Sequence, residues 1–110
     1  HILPSINLNQ YKIFKDDDGI FAFVNWAYLN EDVEREYKNK GQIYKNEWNC
    51  GVNLWIHDIV SIRKTKEVAL WTIKYCLKKI KTNDCFSWIR VDENNQITRV
   101  AKKYKREFHN

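Results

Sequence analysis

Residues Leu54 to Val60 form an apolar run long enough for a central strand, and its middle is broken by two adjacent polar residues, His57 and Asp58. Few folds accept such an interruption. On a regular strand Leu54, Ile56, Asp58 and Val60 share one face while Trp55, His57 and Ile59 share the other. One of the two polar groups is then directed into a core or a cleft. Burying a carboxylate or an imidazole without a partner is costly, so a small domain keeps one there only when it is paired or used. His57 and Asp58 are the first candidates for chemistry. The structural alternatives are a half-buried His57 bonded to backbone and an Asp58 paired with Arg90 or a lysine.

Around this strand the chain reads as one domain over residues 1–110. His1 to Gln10 holds the single proline, Pro4, and is expected to be a lead-in segment anchored by Ile2, Leu3, Ile6 and Leu8. Tyr11 to Lys15 and Ile20 to Leu29 make a hairpin around Asp16-Asp17-Asp18-Gly19, with Gly19 available for positive φ. Asn30 caps a helix that carries Val33 and Tyr37 as its apolar stripe and stops at Gly41. A loop follows, in which Trp48 packs inward and Gly51 permits a sharp turn into the central strand. Beyond Arg63 to Lys66, the spacing of Val68, Trp71 and Tyr75, with Leu70, Ile73, Leu77 and Ile80, predicts a helix over Glu67 to Lys81. Cys85 to Val91 and Gln96 to Val100 are strands joined by a turn. The basic tail from Ala101, anchored by Tyr104 and Phe108, is expected to be a frayed helix or partly disordered. The order is β-β-α-β-α-β-β. That is an α+β architecture, a mostly antiparallel central sheet with two helices packed on it, in which the long helix joins two parallel strands.

Composition narrows the function. No apolar run approaches the roughly 20 residues that span a bilayer, and no signal peptide is evident. Three cysteines, Cys50, Cys76 and Cys85, without a C-x-x-C pair argue against a disulfide framework or a zinc site and fit a reducing cytosol. No metal site and no bound cofactor are expected. The net charge of +5 favours an acidic partner. The charge is concentrated in Arg63, Lys64 and Lys66, in Lys78, Lys79 and Lys81, and after Lys102; any one run alone reads most simply as a solvated face. Nucleic acid is disfavoured, since no nucleic-acid motif is present. The tryptophans suit a core, although a surface cluster of them would suit an acyl chain groove. Cys50 beside Gly51 suits packing better than nucleophilic attack. His1 and His109 lie at the termini and are not candidates.

Several motifs in order give the chain a resemblance. Leu3-Pro4 with Gln10-Tyr11, Phe23-Val24-Asn25-Trp26-Ala27-Tyr28-Leu29, Trp48-Asn49-Cys50-Gly51, Trp55-Ile56-His57-Asp58 and Ile89-Arg90-Val91-Asp92 run as in the RTX toxin-activating lysine acyltransferases. The chain resembles that family, whose fold is N-acetyltransferase-like and whose members move a fatty acyl group from acyl carrier protein to lysines of a protoxin. The resemblance implies that Asp58 falls on the family's catalytic aspartate and that Trp26, Trp48, Asn49, Gly51, Trp55 and Arg90 contact substrate. It also implies a cytoplasmic enzyme with acyl carrier protein and a protein substrate as partners, Arg63, Lys64, Lys66, Lys78 and Lys79 being the docking cations. A homodimer through exposed sheet edges is a further expectation.

The departures are equally specific. In the family the aspartate partners a histidine base upstream of the Leu3-Pro4 motif, and the family's A-P-F-G after the aspartate is replaced here by Val60-Ser61-Ile62-Arg63. Cys50 and Val52-Asn53 depart from the family's S-G-D. Three readings stay open: a fragment of an intact acyltransferase, a short relative using another base, or a non-catalytic interaction or inhibitor protein on the same fold. His57 is the obvious substitute base, but neighbours on a strand face opposite ways unless a bulge intervenes.

Overall fold

A computed structural model describes residues 2–94 and 96–106. Its sheet begins with the expected hairpin, Tyr11–Asp16 (β1) and Gly19–Leu29 (β2), closed by Gly19 at φ 107°. The chain then forms α2 (Glu31–Lys40), β3 (Asn53–Ser61), α3 (Thr65–Lys79), β4 (Cys85–Val91) and β5 (Ile97–Tyr104); a short α1 (Leu3–Asn7) precedes the hairpin. Strands are ordered β1-β2-β3-β4-β5. All neighbours are antiparallel except β3 and β4, which the α3 crossover joins in parallel.

Strand alternation divides the core in two. Val24 and Trp26 of β2, Leu54 and Ile56 of β3 and Phe86 of β4 pack under Val68 and Cys76 of α3. Ala27, Leu29 and Trp55 face the other way, against Tyr37 of α2 with Ile43 and Trp48. Neighbours such as Trp26 and Ala27, or Trp55 and Ile56, thus belong to opposite layers, and one helix covers each face. The helix ends follow the sequence. Asn30 Oδ1 accepts the Val33 N–H at 2.9 Å, and Gly41 closes α2 in the left-handed region at φ 68°.

Four expectations need correction. Leu3–Asn7 is a helical turn started by Pro4, not an anchored lead-in; Ile2, Leu3 and Leu8 are exposed, and the buried anchors are Ser5 and Gln10. Gln10 Nε2 donates to the carbonyls of Trp26 (2.9 Å) and Trp48 (3.0 Å), tying the segment down by polar contacts that hydrophobicity cannot reveal. The basic tail is strand as far as Tyr104, because Cys85 to Val91 offers an edge with which it pairs; Phe108, His1 and His109 lie outside the described residues. On α3 the buried stripe is Val68, Thr72 and Cys76, and Leu70 faces water, since apolar residues surround more of this helix than one sheet can cover. Gly51 is required for a different reason than a turn. A Cβ there would lie 2.3 Å from Asn30 N and 2.4 Å from the Leu29 carbonyl, so the loop seats its backbone directly on β2.

Candidate active site

The central strand is irregular at the two residues that matter. Adjacent Asn25 and Trp26 on β2 oppose Asp58 and Ile56 on β3, so His57 is an extra residue in a β-bulge. A bulge resets alternation, and the neighbours that a regular strand would send to opposite faces end up side by side. His57 Nδ1 lies 2.8 Å from Asp58 Oδ2. The imidazole ring sits between Tyr37 (centroids 5.8 Å apart) and Trp48 (4.8 Å), on the α2 side.

Asn25 fixes the bulged register. Its Oδ1 accepts the Asp58 backbone N–H at 2.7 Å, and its Nδ2 donates to Ser5 Oγ at 3.1 Å; Ser5 Oγ donates in turn to the Ile2 carbonyl at 2.7 Å. Asn25 is wholly buried, so both ends of its amide must be satisfied, and they are satisfied only in this register. The Asp58 carboxyl is held below the usual range first by the hydrogen bond from His57, with Asn25 assisting, against the opposing effect of burial. Burial, and then the Asp58 charge, raise Tyr37 and keep it a neutral phenol. With its side chain 34% exposed against 14% for His57, Asp58 is the member of the pair that reaches solvent.

The pair stands where the sheet opens. β3 and β4 are registered only at Trp55–Ser87 and Ile56–Trp88, and the next residues on the two strands, His57 and Ile89, line hollows on both faces. The hollow on the α2 side, about 640 Å³, is polar in character, with Tyr37, Asn39, Lys40, Asp58 and Gln96 around it. The one on the α3 side is smaller and apolar.

Of the residues expected to contact substrate, only Trp48 touches the pair. Trp26 lies in the α3-side core, 4.5 Å from Tyr75. Trp55 is buried on the α2 side, where its Nε1 donates to Glu34 Oε2 at 2.7 Å. Asn49 is exposed and bridges to Tyr28, Gly51 is packed on Leu29, and Arg90 is exposed opposite Arg99. Asp58 has His57 as its ion-pair partner rather than Arg90 or a lysine. Among the docking cations, Arg63 and Lys64 are bound to Asp16 at 2.7 and 2.8 Å, while Lys66, Lys78 and Lys79 are exposed. Cys50 Sγ accepts the Asn30 N–H at 3.4 Å, a structural use of the thiol. Among the described residues no three His, Cys, Asp or Glu side chains gather as a metal site, and no helix is long and apolar enough to cross a membrane. Asn25, Ser5 and Tyr37 were not singled out as site residues from the sequence. Asn25 left a signal, being the one amide in the apolar run Ile20 to Leu29.

The fold and the pair define an α+β protein with a mostly antiparallel five-stranded sheet, built around a histidine–aspartate couple at a parting of two parallel strands. Comparison with known proteins narrows that class: residues 1–105 match the RTX toxin acyltransferase family, and the chain belongs to it. Protein-lysine myristoyltransferase HlyC of Escherichia coli is 31% identical over 110 residues, 99% of this chain and 59% of its own length. RTX-I toxin-activating lysine-acyltransferase ApxIC of Actinobacillus pleuropneumoniae is 29% identical with the same coverage, 99% and 59%. An uncharacterized protein of Synechocystis sp., sll0720, is 29% identical over 94% of this chain and 71% of its own. The chain thus spans about three fifths of the length of these two acyltransferases.

Proposed function

We propose that the protein is a protein-lysine acyltransferase of the toxin-activating type, taking a fatty acyl group from the thioester of acyl carrier protein to lysine side chains of a protein target. The observation that carries this reading is the 2.8 Å couple between His57 and Asp58 at the mouth of the parted strands, in a chain of this family. At neutral pH only roughly one lysine in a few thousand is unprotonated, so the amine needs a base as it attacks. Asp58 Oδ2, 2.8 Å from Nδ1 of His57, orients the imidazole and stabilises the charge it gains when it takes the proton. The same carboxylate attracts the ammonium into the polar hollow. The amine nitrogen then bonds to the thioester carbonyl carbon, and the C–S bond breaks. His57 takes the first proton of the ammonium and passes it to solvent, and the proton shed as the amide forms goes to the departing thiolate, giving an amide, a free thiol and one released proton. Three free cysteines suit the reducing cytoplasm in which such a donor is found.

Intact-mass spectrometry tests the reading. Incubated with fatty-acylated acyl carrier protein and a lysine-bearing target, the wild-type chain is expected to add the mass of the acyl group to the target, and His57→Ala or Asp58→Ala to abolish it. Full transfer by Asp58→Ala would remove the site assignment. No transfer by wild type, where an intact relative acts, would favour the binding or inhibitor protein on the same fold.

A further inference from the structure

The α3-side hollow differs in kind from its polar counterpart. About 220 Å³ in volume, it is walled by Ile56 and Ile59 of β3, Trp88 and Ile89 of β4 and Ala69 and Ile73 of α3. No lysine, arginine or carboxylate lines it, and the one hydroxyl on its wall, Thr72 Oγ1, already donates to the Val68 carbonyl at 2.8 Å. A water inside would find almost no polar partner, which makes the space suited to an apolar guest. Drug-sized ligands take roughly 300–1,000 Å³, so the space admits a smaller apolar group or part of a chain. His57 is on its wall and also lines the polar hollow with Asp58.

We propose that this hollow is the slot for the acyl chain, and that Ala69 and Ile73 set how much chain it holds. The proposal rests on the transferase reading and adds the direction of approach. The lysine comes to the carboxylate on the α2 face, the acyl chain lies against α3, and the two meet at His57. An alkyl chain on the α2 face would strip water from the Asp58 charge, whereas on the α3 face it covers apolar wall already exposed, Ile59 among it. Ala69 and Ile73 are one helical turn apart on the same stripe, so a larger side chain at the first shortens the slot and a smaller one at the second lengthens it. Each methylene that loses its wall weakens binding about fourfold.

Two measurements test this with the same chain. A myristoyl pantetheine thioester carrying a diazirine at its chain end is irradiated with the protein, and the labelled peptides are mapped. Label on the Ala69–Ile73 turn or on Phe86 to Ile89 is expected; no label, or label confined to the α2-side residues Tyr37, Asn39 and Gln96, overturns the slot. Labelling needs no turnover, so it decides the slot even if wild type transfers nothing, a result that would count against the transferase reading alone. In transfer assays, Ala69→Phe is expected to lower the ratio of myristoyl to octanoyl rates about tenfold and Ile73→Ala to raise it. Because each ratio is taken within one variant, partial unfolding scales both donors alike. Ratios unchanged in both variants overturn the slot.

Discussion

Asp58 owes its character to two contacts rather than to exposure: the imidazole beside it and the amide that takes its backbone N–H. Replacing it by Asn keeps the shape and removes the charge, so acyl transfer is expected to fall by about 10²–10⁴, read in the mass-gain assay. A pH signature accompanies this. The folded-state pKa lies below the ordinary 3.8, so the carboxylate contributes stability that is present above that value and disappears as pH falls through the lower, folded one. The urea midpoint of wild type should therefore exceed that of Asp58→Asn at neutral pH, with the gap closing in acid; an equal gap at both would assign the stabilisation elsewhere. Gly51→Ala probes a contact of another kind. Its methyl would overlap the Leu29–Asn30 peptide, which cannot swing aside as a side chain would, and a loss of about 1–3 kcal/mol in denaturant unfolding is expected. A loss within experimental error would mean that the loop shifts freely.

At the scale of elements, the bulge between β2 and β3 turns an ordinary central strand into a site, and Asn25 is its clamp. Truncating Asn25 to Ala leaves the Asp58 N–H and Ser5 Oγ without this partner in a buried place, at about 1–3 kcal/mol for each group left unmet. The expected result is lowered stability together with lowered transfer, whereas Asn25→Ala with wild-type values of both would show that the register holds itself. The elements themselves were largely legible in the sequence. The hairpin turn, the Asn30 and Gly41 caps and the run from Leu54 to Val60 are encoded by neighbours a few residues apart. What stayed hidden is non-local. Asn25 meets Asp58 across 33 residues, and Gln10 reaches Trp48 across 38, so neither bond leaves a trace in local spacing. The helix Leu3–Asn7 is too short to show a period, and the lysines of Ala101 to Tyr104 mark an exposed edge strand yet read like a solvated tail. That His57 and Asp58 share a side depended on a bulge, which the sequence left open and the register of β2 with β3 shows.

For the molecule as a whole, the excess of positive charge is unevenly available. Arg63 and Lys64 hold Asp16, whose carboxyl is driven well below its usual range by hydrogen bonds first from Arg63 and then from Lys64; these two cations secure the tip of the β1–β2 hairpin to the start of α3. Lys78 and Lys79, in the last turn of α3, are exposed and carry no such internal ion pair among the described residues. An acidic carrier protein would therefore find two exposed cations without an ion pair at the far end of α3 against one, Lys66, at the near end, among the described residues. Lys78→Glu combined with Lys79→Glu is expected to raise KM for acyl carrier protein several-fold while kcat stays unchanged, because the pair acts on encounter and not on the chemistry. Salt should erase the difference, as the screening length drops from about 10 Å at 0.1 M to about 3 Å at 1 M. A pantetheine thioester without the acidic carrier should not distinguish the variant from wild type. Arg63→Ala should affect both donors alike, through loss of the hairpin tie. A double reversal that impaired the small donor as much as the carrier-bound one would remove Lys78 and Lys79 from the docking surface.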